Sequence, residues 1–240
     1  MALDTYEVWL FDLDGTVVDV EWPYTRELFD RVGDRIGREF TDREALTLWH
    51  GLGGDRNAQL REWALEPTTF WDTFHATEDP LERAEATYLH PDAERLIREI
   101  HGPIGLVTHS QEFLASPVLD TLDIRDWFDV VVCCTDELGW KPDPAPVRYA
   151  LRAMDAADAE RVVLAGDSST DVGAAWNAGY DAVHVERHGH DNRGRCVLAD
   201  FMIQSFDEFP RLPLVDADLG VTGHRRAGGA PETDPTQASD

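Results

Sequence analysis

The sequence predicts an α/β protein, a doubly wound, Rossmann-like parallel sheet with a helical cap domain inserted after its first strand. Three observations carry this expectation. Short apolar runs at 8–11, 104–107, 130–133, 162–165 and 182–185 recur along the 240 residues, the last four with helical patterns between them, and such alternation builds parallel sheets. The stretch 17–90 breaks the alternation, being rich in helical signals and nearly free of strand signals. Finally, four of the apolar runs lead into acids, hydroxyls or an ammonium, at the strand ends where open α/β sheets bind ligands. The implied organisation is a core over 1–16 and 91–215, a helical cap over 17–90 and a disordered acidic tail over 216–240.

The first run, Val8-Trp9-Leu10-Phe11, leads directly into Asp12-Leu13-Asp14-Gly15-Thr16. In an extended segment residues i and i+2 point to the same side, so Asp12 and Asp14 emerge together. Two acids so placed repel each other, and a shared proton or a bound cation relieves them. One carboxylate then suits nucleophilic attack on phosphorus and the other proton transfer. Gly15 permits a sharp turn close to a ligand. Read without its context, the same pentapeptide is an Asp-Gly turn capped by threonine.

Within the inserted stretch, apolar residues at three- and four-residue intervals predict helices over 22–36, 43–49, 56–65 and 81–89. Trp22, Trp49, Trp63 and Trp71 are expected to form the cap's own core rather than a substrate-facing wall. Gly51-Leu52-Gly53-Gly54 reads either as a loop reaching the active site or as a helix terminator. Arg56, just after it, is the cap's candidate for contacting an anionic substrate.

After 104–107 come Thr108-His109-Ser110, a hydroxyl and successive backbone N–H groups at a helix start, which suit a phosphate cradle. After 130–133 comes Gly139-Trp140-Lys141-Pro142-Asp143-Pro144, ahead of a helix starting near Pro144. Lys141 is the one lysine among 21 cationic residues. A compact ammonium suits bridging a carboxylate and a phosphoryl oxygen better than a planar guanidinium does. After 162–165 come Gly166-Asp167-Ser168-Ser169-Thr170-Asp171, with Asp167 placed as a metal ligand and Asp171 placed to hold a water or brace a neighbour. Thr108 and Ser168 also read as plain helix N-caps, and Asp171 as a dipole-complementing acid.

Taken in order, these four motifs resemble those of the haloacid dehalogenase-like hydrolase superfamily, specifically its phosphoglycolate phosphatase-like branch. The motifs span 12–171, and the flanking strands extend the likeness to about residue 215. The resemblance implies Asp12 as the nucleophile that forms an aspartyl-phosphate and Asp14 as general acid/base. It implies Thr108 as the phosphate-binding hydroxyl and Lys141 as the cation steadying nucleophile and phosphoryl group. It implies Mg²⁺ held by Asp12, the Asp14 backbone carbonyl and Asp167, with Asp171 supporting the metal site. The acid two residues after the nucleophile is absent from the dehalogenases of the family, so Asp14 argues for phosphate chemistry. His109 stands where relatives often carry asparagine or serine. It is expected either to touch substrate or, the slightly favoured reading, to cap the following helix.

The expected activity is hydrolysis of a small phosphorylated metabolite, such as phosphoglycolate or a sugar phosphate. A phosphomutase with the same residues is the alternative, as is a non-catalytic regulatory relative. Phosphonate cleavage through a lysine Schiff base is excluded because 17–90 holds no lysine, and a signalling receiver domain because it lacks the second acid and has no room for the insertion. The net charge of −26, with arginine almost throughout in place of lysine, resembles a halophilic proteome, and nothing forms a basic patch for nucleic acid or an anionic membrane. Cys133, Cys134 and Cys196 make no disulfide framework, and no signal peptide or spanning apolar stretch is evident, so a cytoplasmic protein is expected. His188-Gly189-His190 reads as an exposed loop rather than a transition-metal site. Oligomeric state is not readable from the sequence.

Overall fold

The computed structural model of the chain describes residues 3–52, 54–188 and 197–211. Six parallel strands form the main sheet: β1 (Val8–Phe11), β4 (Ile104–Thr108), β5 (Val130–Cys133), β6 (Val162–Gly166), β7 (Asp181–Val185) and β8 (Phe201–Ile203), in the spatial order β5-β4-β1-β6-β7-β8. The chain leaves central β1 for β4 and β5 on one side, then returns to build β6, β7 and β8 on the other. That reversal opens a crevice at the C-terminal end of β1, the place where such sheets take ligands.

Both faces of β1 are buried, which is why its four residues are all apolar. Trp9 and Phe11 point into one cluster with Leu106, Val163 and Val183, covered by Ala93, Leu96 and Ile97 of α6 (Pro91–Glu99) and by Ala115, Val118 and Leu119 of α7 (Glu112–Thr121). Val8 and Leu10 point into a second, covered by Val147, Ala150 and Leu151 of α8 (Ala145–Ala153) and by Val172, Ala174 and Ala175 of α9 (Ser169–Ala178). This two-sided burial is the α/β layering expected from alternating strands and helices.

Five helices lie between β1 and β4 ahead of α6: α1 (Trp22–Ile36), α2 (Asp42–Trp49), α3 (Arg56–Glu62), α4 (Pro67–His75) and α5 (Pro80–Glu85). Helices α1–α4 enclose a third apolar cluster, including Leu28, Phe29, Val32, Phe40, Leu48, Leu60, Phe70 and Phe74, whereas Ala84 of α5 joins the first cluster, with α6 and α7. Trp22, Trp49, Trp63 and Trp71 pack against the third cluster, the role expected of them. Helix starts follow local chemistry: Thr41 and Glu44 form a capping box, and Asp55 and Asp79 accept backbone N–H bonds at the starts of α3 and α5.

Two expectations need correction here. The stretch 17–90 is not free of strands, because β2 (Val18–Val20) pairs antiparallel with β3 (Thr87–Leu89). The helix expected over 81–89 accordingly stops at Glu85. A three-residue strand is too short to show a period, and its partner lies about seventy positions away, so the pairing leaves no local signal. Cys133 and Cys134 are free thiols. Cys196, Gly189, His190 and the tail expected over 216–240 lie outside the described residues.

Candidate active site

The site forms where β1, β4 and β6 end. Beyond Phe11 the backbone keeps one further ladder bond, Asp12 N–H to the Ala165 carbonyl at 2.8 Å, and then turns on Leu13, whose carbonyl accepts from Thr16, Val17 and Val18. The turn passes through Gly15 at φ +76°, and a Cβ there would sit 2.6 Å from an Asp167 carboxylate oxygen. Glycine is therefore required twice over, for its backbone conformation and for the close approach.

Asp12, Asp167 and Asp171 converge, with carboxylate oxygens all within 4.8 Å of one another and all three residues buried. Lys141 enters among them. Its Nζ lies 2.7 Å from Asp12 Oδ1 and 2.6 Å from Asp171 Oδ1, and donates to the Val107 carbonyl at 2.8 Å. The loop carrying it is fixed from outside: Asp143 N–H bonds the Trp140 carbonyl, and Asn177 Nδ2 on α9 donates to the Pro142 carbonyl. Gly173 lets α9 press against Pro142, since a Cβ there would meet the Pro142 ring at 2.7 Å. The second oxygen of Asp171 accepts from Ser168 N–H, so Ser168 and Asp171 form the capping box of α9.

Burial pushes Asp12 well above the usual carboxylate range, the neighbouring charges of Asp171 and Asp167 add to this, and Lys141 opposes it. Burial alone would lower the proton affinity of Lys141, but the carboxylates of Asp12 and Asp171 outweigh it and hold the ammonium charged. Three acids and one cation leave this buried pocket with excess negative charge.

Asp14 stands apart from that group. Its Oδ1 accepts from Arg83 Nη2 at 2.7 Å and its Oδ2 from the Ser110 hydroxyl. Thr108, buried as the last residue of β4, accepts the Ser110 N–H at 3.0 Å and so shapes the turn after the strand. It is not the N-cap of α7, a position that Gln111 fills. His109 does not cap that helix either, contrary to the favoured expectation: its ring meets Trp140 edge-on at 5.5 Å between centroids. Its Nε2 is buried without a hydrogen-bond partner among the described residues. Burial, helped by the charge of Lys141, lowers its proton affinity to a pKa of about 3.

Arg56 gives its guanidinium to the backbone, Nε to the Leu48 carbonyl at 2.7 Å and Nη2 to that of Trp49 at 2.8 Å, closing the end of α2. It is near enough for its charge to act on His109. His50, at the end of α2, lies against His188, three residues past β7, with ring centroids 3.9 Å apart.

Sequence reasoning missed Arg83. It is one of 20 arginines, on a short helix, and only the fold shows it buried against Asp14 and Glu78. Among the described residues no helix is long and apolar enough to cross a membrane.

The chain is similar to the phosphoglycolate phosphatase of Yersinia pseudotuberculosis, 27% identical over 214 residues and covering 80% of this chain and 88% of the relative. It is also similar to that of Pseudomonas putida, 29% identical over 89% of this chain and 81% of the relative. Among solved structures, a haloacid dehalogenase-like hydrolase from Streptococcus pneumoniae superposes with a TM-score of 0.69 at 18% identity, over 87% of this chain and 98% of that one. A phosphatase from Thermococcus onnurineus does so with a TM-score of 0.62 at 23% identity, over 85% and 96%. The family model for haloacid dehalogenase-like hydrolases matches residues 6–179, from the approach to β1 through the end of α9, and the chain belongs to that family.

Proposed function

We propose that the protein is a Mg²⁺-dependent phosphatase that hydrolyses a small phosphate monoester, phosphoglycolate or a sugar phosphate, through an aspartyl-phosphate on Asp12. The observation that carries this reading is the contact of Lys141 with both Asp12 and Asp171 inside a buried group of three carboxylates. The similarity to phosphoglycolate phosphatases supports the substrate class.

The donor set suits a hard divalent cation. It consists of carboxylate oxygens, is buried, and carries more negative charge than one ammonium offsets. Asp12, Asp167 and the backbone carbonyl of Asp14 would hold the ion. Asp171, with its oxygens engaged by Lys141 and Ser168 N–H, would brace the site. When bound, Mg²⁺ neutralises charge so that two anions can meet.

Asp12 attacks phosphorus, forming an O–P bond as the ester oxygen departs, and Asp14 gives that oxygen its proton. Asp14 then takes a proton from water, which attacks phosphorus and breaks the bond to Asp12. Lys141 keeps the nucleophile oriented and offsets charge on the phosphoryl oxygens. The Thr108 hydroxyl and the backbone N–H groups after it cradle those oxygens. Helices α1–α5 act as the cap, over 17–90, and exclude water from the closed site. His109 and Arg56, whose charge acts on the His109 ring, would contact the anionic substrate.

The test is phosphate release from a panel of small monoesters in molar KCl, with and without Mg²⁺, using Asp12→Asn as control. Metal-dependent release that the substitution abolishes is expected. No release from any ester by folded protein would overturn the reading and favour a phosphomutase or a non-catalytic protein.

A further inference from the structure

The His109 ring is held on one side by Trp140, edge-on at 5.5 Å between centroids, and the Trp140 Nε1 is itself fixed by donating to Asp136 Oδ1 at 2.8 Å. The charges that act on the ring are those of Lys141 and Asp171 in the core and of Arg56 in the cap. The imidazole therefore stands at the junction of core and cap, one residue past the Thr108 hydroxyl. With a phosphoryl group on that hydroxyl, the rest of a small ester has to lie at the same junction.

Burial, with the charge of Lys141, lowers the ring to a pKa of about 3, so it is neutral at physiological pH and carries a single proton. The Lys141 backbone forms a hydrogen bond with the ring that raises its proton affinity, as a carbonyl accepting from a ring N–H does. Nε2 is buried without a partner among the described residues, so the donor in that bond is Nδ1. Nε2 is left with a lone pair and no proton. A buried acceptor of this kind costs free energy until a donor meets it.

The cations around the site are already engaged. Lys141 directs its three donors at Asp12 Oδ1, Asp171 Oδ1 and the Val107 carbonyl. Arg83 gives Nη1 to Glu78 Oε1 at 2.9 Å and Nη2 to Asp14 Oδ1 at 2.7 Å. Arg56 gives Nε and Nη2 to the carbonyls of Leu48 and Trp49. A carboxylate on the leaving group would thus enter a site crowded with aspartates and meet a lone pair at His109, and a buried charge without a partner is costly. A hydroxyl brings its own hydrogen to that lone pair and adds no charge.

We infer that the ester this site is built for ends in a hydroxyl, as a sugar or polyol phosphate does, rather than in a carboxylate, and that His109 selects it by accepting the hydroxyl hydrogen at Nε2. The inference rests on the phosphatase reading and narrows its substrate class.

Three esters of matched size test this on the full chain in molar KCl with Mg²⁺. They are 2-hydroxyethyl phosphate, ethyl phosphate and phosphoglycolate, which end in a hydroxyl, a methyl and a carboxylate. For the hydroxyl ester kcat/KM is expected to exceed that for the methyl ester about tenfold, the scale of one hydrogen bond to a buried acceptor. It should exceed that for phosphoglycolate at least about 100-fold, the scale of a buried unpaired charge. His109→Phe keeps a ring against Trp140 and removes the acceptor, so the hydroxyl-to-methyl ratio should fall to about one. His109→Asn supplies an amide that can donate, so the hydroxyl-to-carboxylate ratio should fall about tenfold. A merely structural role would scale all three esters together. Ratios unmoved by both substitutions, or phosphoglycolate cleaved as well as the hydroxyl ester, would overturn the inference and leave the phosphatase reading standing. No cleavage of any ester by folded protein, p-nitrophenyl phosphate included, would overturn both.

The tautomer is measured without activity, by nitrogen NMR of protein carrying isotope-labelled histidine, with His109→Asn assigning the signals. At neutral pH the His109 ring should show a protonated Nδ1 and a bare Nε2. The opposite tautomer, or a charged ring, would overturn the selection by His109 whatever the esters show.

Discussion

The Lys141 ammonium reaches Asp12 Oδ1 at 2.7 Å across 129 positions of sequence, and both side chains are almost wholly buried. That pair is only part of a larger balance, because Asp171 takes the same ammonium at 2.6 Å and Asp167 adds a third carboxylate. Removing the one cation would leave three acids facing one another.

Lys141→Met is therefore expected to reduce phosphate release by at least about 10²–10³-fold and to cost about 3–5 kcal/mol of stability at neutral pH without Mg²⁺. Lys141→Arg should not restore activity. Nζ sits at a three-way point between Asp12, Asp171 and the Val107 carbonyl, which a planar fork cannot occupy. Urea unfolding and steady-state phosphate release check both statements, and a Lys141→Arg enzyme of normal rate would contradict the geometry.

Gly15→Ala tests the close approach of β1's turn to Asp167. The Cβ would lie 2.6 Å from an Asp167 oxygen, at a backbone φ of +76°. We expect a stability loss of at least about 1 kcal/mol from the backbone alone, and a larger loss of activity as Asp167 is pushed aside. Gly37→Ala is the control, since it has a similar φ but nothing within 4 Å. It should lose stability and keep its activity.

The sheet was legible because the chemistry of its strands is local. Val8-Trp9-Leu10-Phe11 must be buried on both faces, and the acids that follow can stand only at its end. Lys141 was legible for another reason: a lone lysine in an arginine-rich chain is conspicuous before any fold is known. Arg83 has the opposite character. It is chemically identical to nineteen others, and what distinguishes it is burial against an acid 69 positions away. The β2–β3 ribbon escaped notice in the same way, since three-residue strands are specified by their partner and not by their own period. His109 was misassigned because the helix after β4 starts two residues later than a histidine cap requires.

The imidazoles give a pH dependence with a definite sign. Burial lowers His109 to a pKa of about 3 and His90 to about 4, against about 6.5 in the unfolded chain. Folded pKa values below the unfolded one mean that the unfolded chain binds more protons as the pH drops. Stability is therefore lost below pH 6.5, by up to about 1.4 kcal/mol per pH unit for each group, until the folded values are reached. Asp92, lowered to about 2 by its hydrogen bonds to Arg187, Phe206 N–H and Ser205, adds to the loss below pH 4. Burial raises Asp19 to about 6, which acts in the opposite sense over the same range, so the contribution of the ring is read as the difference in urea-unfolding slope between wild type and His109→Asn from pH 7.5 to 4.5. An unchanged slope in that variant would mean that the ring is already charged in the folded protein.

Salt should act in the opposite direction to its usual effect on ion pairs. With a formal charge of −26, repulsion among exposed carboxylates opposes the compact state. The ion pairs at the surface, such as Arg95–Asp207 and Arg98–Glu94, contribute less than about 1 kcal/mol each and are themselves screened. Going from 0.1 M to 1 M KCl shortens the Debye length from about 10 Å to about 3 Å, so relief of the repulsion should dominate. The melting temperature is expected to rise by several degrees over that range, and the rise should saturate once the screening length falls below the spacing between acids. Thermal unfolding in a KCl series, with sorbitol at matched osmolality as control, separates screening from general solute exclusion. An equal rise in sorbitol, or a fall with KCl, would show that the acidic surface is not what limits stability in dilute buffer.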